Sequence, residues 1–221
     1  MTLEHAIESL RCGKFILLYD SKERENEIDM VVAAQMAEPE HIARMRQHGG
    51  GLICLALDGQ FGKNLGLKYM HDMLKDSLDP KLHKMIPNRS PYGDRPSFSI
   101  HVNHRHTYTG ITDSDRALTA REIASLYGKT NLKEKFVSSF VTPGHLPLLL
   151  ASKGMLTERR GHTEMSVYLL KVAGLSPVSI ICEMMDAQTY TALSFDKASK
   201  YAKQNDIPFV DGAELLEHAK V

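Results

Sequence analysis

The sequence predicts an α/β fold with α+β character: a single domain with a mixed β-sheet flanked by helices. Three observations predict it. Apolar runs of strand length recur along the chain, separated by segments of helical periodicity. Strands and helices do not alternate strictly, so the sheet is expected to be mixed and not doubly wound. Hydrophobic residues make up 43% of the 221 residues, which suffices for a substantial core. No repeat, low-complexity stretch or Pro/Gly/Ser linker divides the chain, so one domain is expected over residues 1–221.

The elements are expected in this order. Residues 3–11 have the spacing of a short amphipathic helix. Residues 14–19 are an apolar run of strand length, and residues 28–33 are a second, with a charged stretch at 20–27 between them. Pro39 suits the first turn of a helix that ends before Gly49, Gly50 and Gly51. Residues 51–56 read as a buried strand. Residues 68–95 show weak periodicity and are expected to form mostly a long loop, a length often tied to function. Residues 97–102 alternate as a half-buried strand. Thr119 and Glu122 form a capping-box pattern ahead of Ile123 and Leu126. A strand at 136–141 is expected to end in a turn at Thr142, Pro143 and Gly144. A helix at 163–173 and a strand at 178–182 follow. A helix–strand–helix unit at 194–220 closes the chain, with Asp211 and Glu214 as a second capping pattern.

Composition narrows the function classes. Lys plus Arg and Asp plus Glu are both 27, so the overall field of a general nucleic-acid binder is missing. Trp is absent and aromatics are 7%, which argues against base-stacking platforms. Cys12, Cys54 and Cys182 are widely spread and make neither a disulfide framework nor a C-x-x-C metal site. A reduced, cytoplasmic setting is expected. Glu4, Glu8, Arg11 and Lys14 interrupt the first 20 residues too often for a signal peptide. No apolar run approaches the roughly 20 residues that span a bilayer.

Five stretches could carry chemistry. Asp20, Glu23, Glu25, Glu27 and Asp29 fall within ten residues between two apolar strands. Crowded carboxylates repel unless a cation or Arg neutralises them, and oxygen ligands suit Mg²⁺ or Mn²⁺. Arg24 among them could grip a phosphate or carboxylate. Taken alone, the stretch reads better as a solvated, charged hairpin loop. Arg159, Arg160, Gly161 and Thr163 precede a helix start, where free N–H groups favour phosphate, and His162 is a candidate metal ligand. An ordinary basic loop would look the same. His145, on a Pro/Gly turn, is placed to move protons or simply faces water. Glu183 ends an apolar run, where partial desolvation would raise its pKa; a strand-end charge in water is the plainer reading. Residues 107–117 are rich in hydroxyls and equally rich in turn formers. Cys54 and Cys182 lie in apolar runs and are expected to be buried, with Cys54 at most a wall of the site.

The order and spacing of these stretches resemble the 3,4-dihydroxy-2-butanone 4-phosphate synthase family. The family's Asp-Asp-x-x-Arg-Glu-Asn-Glu-Gly-Asp stretch here runs from Asp20 through Arg24, Glu25, Asn26 and Glu27 to Asp29. Its Thr-Gly-Ile-Ser-x-x-Asp-Arg segment corresponds to Thr109, Gly110, Ile111, Thr112, Asp115 and Arg116. Pro143-Gly144-His145, then Arg159, Gly161, His162, Thr163 and Glu164, then Glu183 complete the set. Ser21 stands where the family has its second Asp, and Ile28 where it has Gly. The resemblance implies a lyase that converts ribulose 5-phosphate to 3,4-dihydroxy-2-butanone 4-phosphate and formate in riboflavin biosynthesis. It implies Mg²⁺ or Mn²⁺, two ions per site, held by Glu25 and His162. It implies that Arg24, Arg159, Arg160, Gly161 and Thr163 bind the phosphate end, that Glu25, His162, Asp29 and Glu183 also contact substrate, and that Asp29, His145 and Glu183 do the acid–base work. Asp20, Glu27, Cys54 and Thr112 are further pocket candidates. A homodimer with sites near the interface is implied, as is the stand-alone form, since the cysteine cluster of a fused cyclohydrolase is missing. No nucleic-acid or membrane partner is expected. Another metal-dependent sugar-phosphate isomerase or aldolase would use similar groups, and a metabolite sensor would bind without turnover.

Overall fold

The computed structural model describes residues 3–87 and 89–221. The strand expectations at the start of the chain hold because those runs are apolar on both faces, as buried strands are. After helix α1 (Leu3–Arg11), β1 (Ile16–Tyr19) and β2 (Ile28–Ala33) pair antiparallel, with Leu18 opposite Asp29. Helix α2 (Pro39–Arg44) starts at Pro39 and is capped reciprocally by Glu38 and His41; a wider helical turn, Met45–Gly49, leads to β3 (Cys54–Leu57). Helix α3 (Gly59–Leu65) is capped by Asp58.

Residues 68–95 are not mainly loop. They contain helix α4 (Met70–Ser77) and a 3₁₀ helix, Pro80–Met85; position 88 lies outside the described residues. α4 buries none of its residues, so its apolar spacing is too sparse to mark it. β4 (Phe98–His104) follows, then helix α5 (Asp113–Ser125). The expected capping box at Thr119 is instead inside α5. Thr112 is the cap, its hydroxyl accepting from Asp115 N–H, while Thr119 Oγ1 bonds the Asp115 carbonyl and accepts from His104 N–H. The strand expected at 136–141 is also corrected. Helix α6 (Leu132–Ser139) covers most of it, and Phe136 and Phe140, four apart, stack with centroids 5.2 Å apart. β5 (Phe140–Leu150) then runs through Pro143, Gly144 and His145, which form a bulge and not a terminal turn. Val141 pairs with Asn103 and Leu146 with Val102, leaving the residues between them unpaired on β4.

Helix α7 (His162–Val172), β6 (Val178–Glu183), the short hairpin β7 (Met185–Asp186) and β8 (Thr191–Ala192), helix α8 (Phe195–Gln204), β9 (Phe209–Asp211) and helix α9 (Gly212–Ala219) complete the chain. Asp211 caps α9 as expected, accepting from Ala213 N–H. Among the described residues the main sheet has seven strands in the order β4-β5-β3-β6-β2-β1-β9, with β3–β5 and β1–β9 parallel and the other pairs antiparallel.

The pleat sends alternate residues to opposite faces. Leu17, Met30, Val32, Leu55, Leu146, Leu148 and Ile180 pack with α2, α3, α5, α6 and α8. Ile16, Leu18, Val31, Cys54, Ala56 and Ile181 pack with α1, α7 and α9. Asp29, two residues before Val31, therefore shares the α7 face. Cys54 lies on that face, and Cys182 lies on the other. Among the described residues, no helix is long and apolar enough to cross a membrane.

Candidate active site

The site forms where β2 and β6 end beneath the start of α7. Asp29 and Glu183 are register partners across β2 and β6, so their side chains leave the sheet on one face. Like charges directly opposite one another destabilise a sheet, and this pair requires a cation or a proton nearby. The backbone crowds in as well. Leu52 N–H donates to Glu183 Oε2 at 2.7 Å, and a Cβ at Gly51 would strike that carboxylate.

The turn between β1 and β2 is built on Asp20. Its carboxylate is fully buried and accepts from Glu25 N–H (2.8 Å), Glu27 N–H (3.1 Å) and Arg24 Nη1 (3.1 Å). Asp20 is thus already satisfied and shapes the turn, which delivers Glu25 to α7. Glu25 Oε2 lies 3.0 Å from His162 Nδ1 and 2.8 Å from Arg24 Nη1. His162 Nε2 is 3.2 Å from the Glu27 carbonyl and 3.8 Å from Asp29 Oδ1. Ligand atoms of Asp20, Glu25 and His162 all fall within 4.8 Å of one another.

The charges are strongly perturbed. Burial opposes the ionised form of Glu25, but His162 and Arg24 outweigh it and hold the carboxyl well below its usual range. Burial, with Glu183, Glu25 and Glu27, pushes Asp29 up to about 8 against the pull of His162. Burial opposes charge on His162, yet Asp29, Glu25 and Asp20 raise it to about 9. Burial, with Glu183 and Asp29, drives the Cys54 thiol upward, so Cys54 is a neutral wall and not a thiolate. Asp29 Oδ1 is buried with no hydrogen-bond partner among the described residues. A surplus of carboxylates, an orphaned carboxylate oxygen and one imidazole fit a hard divalent cation such as Mg²⁺ or Mn²⁺.

Arginines flank this group. Gly161 caps α7, and a Cβ there would strike both the Arg24 and the Arg159 guanidinium. Glycine is what lets the two cations converge. Glu164, wholly buried, aims Arg159. One carboxylate oxygen accepts from Ser152 N–H at 2.8 Å and the other from Arg159 Nη1. Burial raises its pKa against the opposing effect of Arg159. Arg24 Nη2 and Arg159 Nε are buried without hydrogen-bond partners among the described residues. Thr163 is buried at the helix start, and Arg160 is exposed at the rim of a cavity of about 500 Å³.

The structure thus brings Arg24, Glu25, Asp29, Arg159, Gly161, His162, Thr163 and Glu183 together, with Arg160 at the edge. It leaves two candidates outside. His145 is exposed and held by Asn103, whose Oδ1 accepts from His145 N–H at 2.7 Å and whose amide lies 3.2 Å from Nδ1. The strand register carries it to the same end of the sheet as Glu183, with β3 between. Thr112 is exposed at the start of α5. Three contributors went unassigned in the sequence. Glu164 closes the family motif at the start of α7 but carries no assigned role in the sequence reading. Tyr92 and Asp94 lie in a stretch with no motif, yet Tyr92 covers Arg24 at 4.9 Å and Asp94 Oδ2 accepts from Arg24 Nε at 3.0 Å.

The sequence model of the 3,4-dihydroxy-2-butanone 4-phosphate synthase family matches residues 4–218. A 3,4-dihydroxy-2-butanone 4-phosphate synthase of Methanothermobacter thermautotrophicus is 45% identical over 97% of this chain and 94% of its own length. One from Archaeoglobus fulgidus is 41% identical over 99% and 94%. A crystal structure of such a synthase in complex with two magnesium ions superposes with a TM-score of 0.81 at 28% identity, covering all of this chain and 97% of that one. The chain belongs to the 3,4-dihydroxy-2-butanone 4-phosphate synthase family.

Proposed function

We propose that this site converts ribulose 5-phosphate to 3,4-dihydroxy-2-butanone 4-phosphate and formate, one step of riboflavin biosynthesis. The meeting of Glu25, His162, Asp29 and Glu183 beside two converging arginines carries the reading. The carbon count closes without an oxidant, since five carbons leave as four plus one. Glu25 and His162 would hold Mg²⁺ or Mn²⁺, two ions per site. When bound, the metal supplies Lewis-acid stabilisation of negative charge on sugar oxygens.

The chain's own residues do the rest. Arg24 and Arg159 offer their unpaired N–H groups to the phosphate, joined by Thr163 and the N–H groups that open α7. Arg160 guides the anion at the rim. Asp29 contacts the sugar hydroxyls and takes a proton during enolisation, and Glu183, fixed by Leu52 N–H, works from the neighbouring strand. His145 carries part of the proton traffic, an assignment supported by the family motif. Its position outside the cluster supports a site completed by a second copy of the chain, as do the exposed Tyr108 and Ile111, which flank Thr109 and Gly110 beside the Asn103 that holds His145. We take the protein as one catalytic domain that acts as a homodimer in the cytoplasm.

The test is incubation with ribulose 5-phosphate and Mg²⁺, with formate followed by proton NMR and an EDTA control. Metal-dependent formate in step with substrate loss is expected. Substrate loss without formate would point to an isomerase or aldolase, and no loss with any divalent metal to a metabolite sensor.

A further inference from the structure

Between Arg24 and Arg159 stands a third residue, Asp94, to which the proposed reaction assigns no role. Asp94 Oδ2 accepts from Arg24 Nε at 3.0 Å and lies 3.7 Å from Arg159 Nε. Both arginines already have other carboxylates: Asp20 and Glu25 for Arg24, Glu164 for Arg159. Asp94 sits on a tight turn closed by Ser90 N–H to the Asp94 carbonyl (2.7 Å) and Gly93 N–H to the Ser90 carbonyl (2.9 Å), with Gly93 at φ +95°. The turn touches the site a second time through Tyr92, whose ring covers Arg24 and whose hydroxyl bonds Glu25.

The fit is incomplete in an informative way. With Asp94 in place, Arg24 Nη2 and Arg159 Nε remain buried without a hydrogen-bond partner among the described residues. One carboxylate oxygen is shared between two guanidiniums, whereas a phosphate monoester brings three terminal oxygens and a second charge. Two cavities, of about 450 and 500 Å³, share Asp94, Glu158 and Arg159 in their linings.

We propose that Asp94 is an internal stand-in for the substrate's phosphate. It holds Arg24 and Arg159 together in the resting site, and a phosphate monoester binds by displacing it. A dianion can outcompete the carboxylate, and a singly charged sugar acid cannot, so Asp94 sets selectivity as well as affinity. This inference rests on the reading above that the two arginines take the phosphate.

The experiment measures inorganic phosphate as a competitive inhibitor of the intact enzyme and of three variants. Asp94→Asn should lower the inhibition constant for phosphate, and KM with it, about two- to fivefold, the range of a partly exposed ion pair. It should also make gluconate, a singly charged acid, a measurable inhibitor. A raised constant would show that Asp94 orients the arginines and overturn the proposal, as would an unchanged one. Arg159→Met separates the two readings: it must weaken phosphate binding, and if it does not, the phosphate role of the arginines fails as well. The chain has no Trp, so Tyr92→Trp reports on the turn alone. Its emission should shift as phosphate saturates; inhibition by phosphate with no shift would contradict displacement.

Discussion

Glu25 and His162, 137 residues apart in sequence, meet at 3.0 Å. The β1–β2 turn supplies one and the first residue of α7 the other. Their meeting depends on Asp20, which fixes the turn, and on Gly161, which lets the arginines close over it. Both nitrogens of His162 face oxygen atoms, an arrangement that favours the doubly protonated ring; a metal held by His162 would replace one of those protons.

Glu25→Gln removes the charge that a divalent ion requires and keeps the shape. Turnover at saturating Mg²⁺ should fall about a thousandfold or more, since metal stabilisation is worth several kcal/mol. Far-UV circular dichroism should be unchanged. Near-normal activity would remove Glu25 from the metal site.

Glu164 is a stability element as well as a guide for Arg159. Glu164→Ala leaves the guanidinium and Ser152 N–H without their carboxylate. The loss should be on the order of 3–5 kcal/mol, as when one partner of a buried pair is removed. Urea unfolding would read this as a lower midpoint with an unchanged slope. Glu164→Gln, which keeps the Ser152 bond, should lose less stability and still raise KM.

His145→Ala should lower kcat more than it raises KM, because proton transfer is a transition-state role. Steady-state kinetics decides this. A change confined to KM would make His145 a binding residue.

His104 gives the fold a pH dependence away from the site. Burial beside Phe140 lowers its pKa below 6.5; Glu122 opposes the shift and His106 adds to it. The folded state therefore binds the proton less readily than the unfolded chain. The contribution is complete above pH 6.5 and is lost as pH falls through 6.5 to the folded pKa. The decline of melting temperature below pH 6.5 should be shallower in His104→Gln than in the unaltered protein. Parallel curves would exclude the assignment.

Much of the site was legible in the sequence because its parts are local. The acidic turn lies between two apolar runs, the Arg159-to-Glu164 stretch opens a helix, and Asp211 caps the last one. What was not legible depends on distance or on weak burial. The apolar residues from Phe136 to Val141 suited a strand, but the i, i+4 pair Phe136 and Phe140 belongs to a helix end and a strand start. α4 buries nothing, so no periodicity announced it. Asp94 meets Arg24 across 70 residues, and no spacing rule reaches that far. The position of His145 depends on a bulge between β4 and β5, which sequence pattern does not encode.

The measurement that tests the central claim most directly uses ribulose 5-phosphate labelled with ¹³C at the carbon next to the phosphate-bearing one. The account predicts Mg²⁺-dependent ¹³C-formate from the unaltered protein and none from Glu25→Gln. Label retained in a phosphorylated product, or formate released without label, would contradict it.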